Sequence, residues 1–429
     1  MRLTELERRT FSALLVASIF QGFVLSSFQT QDIIAKKALH ALDWQVTILV
    51  MLWPLSNLFS IWWGKILEHS HKLSRYFILA GIFGRLVLLL MLWITSYYQY
   101  MGIMILVFSF NAFISPAQNS ILQNNIQKQN RGNLFGYTAS LVTLVSITFS
   151  FVAGKLLDVN ENWFRYFFAL VGILGLIHCI IMSRIKLKKS HNPEKAFLSL
   201  QEVFFKPIAR TIEVLKKNKD FAVFQRNFMI YGIAYMILLP AIPKYLVETL
   251  KMEYSQTFLA KSILSQVGIL ILAPLAGRFF DKKNPAFFTA LSFALISFYP
   301  IILLISLFHV GTVYVNYIVY LAFLIYSVAM TGIVISWNIS SIQFAGDEDV
   351  SMYQSVHVTL TGIRGMIGPF LGLFIMEILG IKAVFITAIF LFLLAAYLSF
   401  RLYLRMDDKC WKCTYNQVLV YFRKIFPFN

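Results

Sequence analysis

The chain has 429 residues, of which 58% are apolar, 16% aromatic and only 14% charged. Soluble domains average about 45–50% apolar and about 25% charged residues, so a soluble globule is excluded for want of charge, and intrinsic disorder fails on the same ground. The formal net charge of +18 fits nucleic-acid binding in a soluble chain, but in a membrane chain it fits Lys- and Arg-rich loops gathered on one side.

A membrane-spanning helix needs about 20 largely apolar residues. In chain order, such runs fall near 11–33, 45–66, 76–97, 102–123, 135–157 and 164–184, and then near 222–247, 258–280, 287–308, 312–336, 352–377 and 382–403. They are continuous and not alternating, which excludes a β-barrel. The first run, from Phe11, is long enough to span and lacks a small-residue cleavage site, so it reads as a helix and not a cleaved signal. The expected fold class is an all-α membrane protein with twelve transmembrane helices in two pseudo-symmetric six-helix bundles.

The polar interruption 185–221 carries Lys at many positions, with Phe197, Leu200, Phe204, Ile208 and Ile212 near helical spacing. This pattern predicts one or two interfacial helices, broken near Pro207. The expected organisation is a first bundle over 1–184, a central cytoplasmic loop over 185–221, a second bundle over 222–404 and an amphipathic tail over 405–429. With the N-terminus inside, most of the 38 basic residues fall on inside segments, eleven of them from Arg184 to Arg226. Both termini are therefore expected in the cytoplasm, with the chain in the cell (inner) membrane, and nucleic acid drops out as a partner. The acidic run Asp347-Glu348-Asp349 dissents, though carboxylates weigh little in this rule. Arg85 and Arg364 remain, both inside apolar runs.

The two halves echo each other. The second run ends Gly64-Lys65-Ile66-Leu67-Glu68 and is followed by His69, His71, Lys72 and Arg75; the eighth ends Gly277-Arg278-Phe279-Phe280-Asp281-Lys282-Lys283. Each is Gly, three residues, a carboxylate and then bases. Gly permits close helix approach, and the carboxylate can cap a neighbouring helix or pair with a base. Phe20-Gln21-Gly22 lines up with Ile230-Tyr231-Gly232, and Tyr137 and Tyr353 are read as initiating corresponding helices.

On these residues the chain resembles the major facilitator superfamily over nearly its whole length. The loop motif departs from pattern at Glu68, which stands for Asp, and at His71, which stands for Gly; the second copy is cut short by Asn284-Pro285. The resemblance implies that Gly64, Glu68, Gly277 and Asp281 gate the cytoplasmic side. Pro240-Ala241-Ile242-Pro243 after Gly232 looks like the ending of helix one in drug-efflux members, and Gly362, Gly365, Gly368 and Gly372 look like the Gly-rich antiporter motif usual in helix five, each displaced to another helix. If the superfamily arrangement holds, Gln21, Gln29, Asn111, Gln118, Tyr231, Tyr235, Gln266 and Asn338 line a central cavity.

Arg364 is placed about 18 Å deep, at 1.5 Å per residue. A mid-bilayer arginine is costly unless it faces protein or water. It reads equally as an anchor for an anionic substrate group or the partner of a moving carboxylate, and as a structural residue that bonds backbone carbonyls or snorkels. Arg85, in a run expected on the outer scaffold, reads as structural. No carboxylate stands at mid-depth, so Asp32 is the leading coupling candidate, with His357 and His178 as groups able to titrate. Cys410 and Cys413 lack the further ligands that structural zinc needs, and no metal or cofactor is expected.

The functional expectation is a secondary active transporter moving a small organic solute, anionic or zwitterionic, by alternating access. The alternatives are a drug or metabolite efflux protein, or a transport-inactive receptor or assembly factor on the same fold. A membrane enzyme would need an acid–base pair or metal motif that the chain does not carry. The expected partners are the solute, a coupling ion (H+ or Na+) and the lipid bilayer, with the chain acting as a monomer.

Overall fold

In the computed structural model, residues 3–68, 73–187, 206–281, 284–345 and 350–425 are described. With no water in the hydrocarbon layer to satisfy peptide groups, apolar runs of this length close their hydrogen bonds as helices. The first half comprises α1 (Glu5–Ala38), α2 (Asp43–Glu68), α3 (Leu73–Gly84, continued as a 3-10 helix over Leu86–Trp93), α4 (Tyr97–Asn125), α5 (Lys128–Val159) and α6 (Phe164–Ser183). A short helix, α7 (Lys206–Lys217), precedes the second half. That half comprises α8 (Lys219–Lys244), α9 (254–281), α10 (Pro285–Ser306), α11 (Val315–Ala345), α12 (350–379) and α13 (381–425). Gly380, at φ 79°, separates the last two.

Among the described residues, ten segments are long and apolar enough to cross a membrane. The longest, Val356–Asp407, contains the break at Gly380, and Asp43–Glu68 is a further 26-residue helix, in keeping with twelve spans. Helix ends follow local chemistry. Thr4 and Glu7 form a capping box at α1, Ser96 and Gln99 another at α4, and Asn218 and Asn284 cap α8 and α10. Pro207 lies in the first turn of α7, where its missing N–H costs nothing, so it opens that helix and does not break one. Tyr137 lies within α5 and is exposed, whereas Tyr353 is buried near the start of α12, so this sequence echo does not mark two equivalent helix starts.

Within each half the glycine echo has a packing meaning. A Cβ on Gly22 of α1 would crowd Val145 of α5, and a Cβ on Gly232 of α8 would overlap Arg364 of α12. In both bundles the first helix bears on the fifth at this glycine. The halves meet along two seams. On one, α2 meets α12 where Gly365 accommodates Pro54; on the other, α5 meets α9 where Gly154 lies against Ser255.

Candidate functional site

One face of α1 carries Ser26, Gln29, Asp32 and Lys36, spaced three or four residues apart, so their side chains share a direction. Each meets a partner. Ser26 Oγ is 2.7 Å from Ser150 Oγ of α5. Gln29 Oε1 accepts from Gln266 Nε2 of α9 at 3.0 Å and from Ser146 Oγ of α5 at 3.3 Å. Asp32 is ion-paired with Lys261 of α9, whose Nζ also donates to the Gln29 carbonyl at 3.1 Å. Lys36 reaches Asp43 at 2.6 Å and Glu248 at 2.5 Å.

Asp32 is only 3% exposed, and the Ile33 N–H donates to its Oδ1 at 3.0 Å. Lys261 sits in a π-helical turn, Leu259–Leu264. Such turns occur often at functional sites because the extra residue re-aims a side chain. Ser265 Oγ and Gln266 Nε2 donate to the Lys261 and Ser262 carbonyls of the same segment. Tyr235 and Tyr100 lie within electrostatic reach of Asp32. Tyr235 in turn is 3.2 Å, oxygen to oxygen, from Tyr326 of α11. A carboxylate, an ammonium, two amides and two phenols thus gather where α1 and α5 of one half face α8, α9 and α11 of the other.

A second layer of bonds closes the end of the molecule that carries the α1–α2 turn. Lys244 pairs with Asp43 across the halves. Lys37 donates to the Met252 carbonyl at 3.0 Å and lies 3.6 Å from Glu253. The Ser255 N–H donates to Asp158 at 3.2 Å, and Tyr254 donates to Glu161 at 3.3 Å. Burial alone would push the Asp43 carboxyl up, but the Lys244 and Lys36 ammonium groups outweigh it and hold it below the usual carboxylate range. At the opposite end, a Cβ on Gly136 of α5 or on Gly277 of α9 would meet nothing within 4 Å among the described residues. The bonds across the halves shut the end that carries the α1–α2 turn.

Arg364 is 4% exposed and committed within its own half. Its Nη1 donates to the Phe228 carbonyl at 2.6 Å and its Nη2 to Thr361 Oγ1 at 3.0 Å, with Phe228 and Tyr231 rings beneath the guanidinium. His357 Nδ1 lies 2.8 Å from Gln225 Oε1, and the ring is packed between Phe228 and Trp337. Tyr231 is stacked on Phe293 with centroids 4.5 Å apart. These form a sealed knot behind the site.

Of the residues expected to line a cavity, Gln29, Gln266 and Tyr235 come together with Asp32. Asn111 instead accepts from Arg85 Nη2 at 2.7 Å, and Arg85 is fully buried with Phe28 under its guanidinium. Gln21 keeps a buried Oε1 with no partner among the described residues. Gln118 is half-buried in α4, and Asn338 is exposed, donating to Val334 of its own helix. Gly64 lies in α2, and Glu68 and Asp281 end α2 and α9. The bases after each, His69, His71, Lys72, Lys282 and Lys283, lie outside the described residues, as do the side chains of Cys410 and Cys413. Among the described residues no group of three His, Cys, Asp or Glu could hold a metal ion.

Lys261 is the residue that sequence reasoning passed over, as one more outside base. Its signal was depth. Asp32 lies six residues from the end of α1 and Lys261 seven from the start of α9, which is about 9 and about 10 Å along the two helices.

The sequence profile of the Major Facilitator Superfamily matches residues 10–363. A sequence search of curated proteins finds no match. Similar solved structures include a variant of the nucleoside transporter NupG, at TM-score 0.70 and 13% identity, covering 92% of this chain and 100% of that one. A bacterial homologue of the human drug peptide transporters PepT1 and PepT2 is similar at TM-score 0.73 and 10% identity, covering 94% and 99%. A POT family transporter in complex with a thioalcohol-conjugated peptide is similar at TM-score 0.74 and 14% identity, covering 94% and 96%.

Proposed function

The chain belongs to the major facilitator superfamily, and from that membership we propose that it is a carrier of a small zwitterionic solute that works through the Asp32–Lys261 pair. As a member it is a multi-pass membrane protein and a secondary active transporter that moves a small organic solute by alternating access. The observation that carries the finer reading is the buried ion pair between the halves, with the Gln29 and Gln266 amides directly beneath it.

The halves cannot part at the shut end without separating Asp32 from Lys261. Removing one partner of a fully buried pair costs roughly 3–5 kcal/mol, and less here because Lys261 is partly exposed. A solute with both a carboxylate and an ammonium group can satisfy Lys261 and Asp32 separately, so its arrival offsets the cost of opening. A proton on Asp32 does the same on the return, which makes H+ the coupling ion. Arg364 acts in this reading as a pin between α8 and α12, and His357, sealed from water, takes no part in proton exchange. Both termini lie in the cytoplasm of a cell whose inner membrane holds the chain, so the shut end faces outward.

Counterflow in proteoliposomes, with labelled amino acids, dipeptides and nucleosides, tests this reading. The wild-type protein is expected to exchange a zwitterionic solute. Asp32→Asn should keep exchange but lose proton-driven accumulation, whereas Lys261→Met should lose both. Undiminished accumulation by Asp32→Asn overturns the assignment.

A further inference from the structure

A cavity of about 490 Å3 lies at the shut end, between the α1–α2 turn of one half and the α8–α9 turn of the other. Lys36, Lys37 and His40 line it from the first half, and Glu248, Lys251 and Glu253 from the second. Its charges are unevenly used. Lys36 is met by Asp43 and Glu248, and Lys37 by Glu253. The nearby Lys244 is met by Asp43 and feels the charge of Glu377. Both lining carboxylates are therefore engaged. His40 and Lys251 are exposed and have no hydrogen-bond or ion-pair partner among the described residues.

The backbone sets these two residues apart again. His40 has φ 49° and Lys251 φ 53°, the left-handed region that side chains avoid. Each ends a helix in the same way. The Ala41 N–H donates to the Ala35 carbonyl at 3.0 Å, and the Met252 N–H to the Leu246 carbonyl at 3.0 Å. Each bond spans six residues, one more than the six-to-one closure of a Schellman cap, and encloses a left-handed position that at helix ends is usually Gly. The two halves thus repeat one cap and fill both copies with a base where Gly would be unstrained. A strained conformation retained at a cavity points to a use for the side chain.

We propose that this vestibule binds a water-borne oxyanion, a phosphate or carboxylate, between His40 and Lys251, and that the bound anion holds the shut end closed. The two bases sit on turns of different halves, so only the shut state brings them to one cavity. An anion bridging them stabilises that state by mass action and slows turnover from the same side. The site is separate from the Asp32–Lys261 pair and does not depend on which solute is carried.

The test uses the full chain in neutral detergent, with inorganic phosphate as the probe against chloride at equal ionic strength. Phosphate should raise the Tm of the wild-type protein by a few degrees. His40→Gly and Lys251→Gly suit the backbone of both caps, so the double variant should fold with an equal or higher basal Tm and lose the phosphate response. A parallel arm replaces phosphate with mixed micelles containing phosphatidylglycerol. A shift with phosphate in the wild type, lost in the double variant, supports the site. An equal shift in both proteins, no shift in either, or a shift with the anionic lipid alone overturns it.

Discussion

Gly232 of α8 and Arg364 of α12 occupy one another's space: a Cβ built on Gly232 would overlap the Cδ and Nε of Arg364. The guanidinium reaches the Phe228 carbonyl only because position 232 has no side chain. Gly232→Ala must push Arg364 off its acceptors, and overpacking of this kind costs about 1–3 kcal/mol. The purified variant should show a lower Tm. In Arg364→Met the added methyl should cost less, so a double-mutant cycle should reveal coupling between the two sites. Additive losses would mean that α8 and α12 are not held at this point.

Gly277 makes a different prediction, because a Cβ there meets nothing within 4 Å among the described residues. Gly277→Leu should leave the Tm of the described state almost unchanged. If the motif glycine serves close helix approach when this end shuts, the same variant should lose counterflow. Measuring Tm and counterflow together separates these effects. Full transport by Gly277→Leu would remove Gly277 from the gate.

Glu7 links acid stability to the start of α1. It accepts from the Thr4 N–H at 2.8 Å, the Gln127 N–H at 2.9 Å and Asn130 Nδ2 at 3.2 Å, tying α1 to the α4–α5 turn. Burial raises its pKa, but these bonds outweigh burial and hold the carboxyl down to about 2, against an ordinary 4.5. A carboxyl lowered on folding contributes stability that is fully present above about pH 4.5 and is lost as pH falls toward 2. Tm should therefore drop over that window, and Glu7→Gln should lower Tm at pH 7 while flattening the acid slope. A slope unchanged in Glu7→Gln would place the acid sensitivity elsewhere.

The elements themselves were legible in the residues. Runs such as 45–66 and 164–184 correspond to Asp43–Glu68 and Phe164–Ser183, because a long apolar segment has no other way to satisfy its peptide groups in lipid. The site was legible only in part. Gln29, Gln266, Tyr235 and Asp32 were readable as intramembrane polar groups. That Asn111 serves Arg85, and that Arg364 serves Phe228 and Thr361, depends on neighbours from other helices, which no local pattern contains.

Composition and hydrophobic run length by themselves determined a helical membrane protein, and the Gly22–Gly232 echo marked its repeat. Both are properties of single segments set against lipid. Only the tertiary structure decided that Lys261 pairs with Asp32, that one end is shut, and that His40 and Lys251 meet at one cavity. The Asp32–Lys261 and His40–Lys251 pairs each join residues more than 200 positions apart. Their meeting is fixed by how two bundles pack, and helix packing is set by side-chain fit between surfaces and not by the pattern along either chain segment.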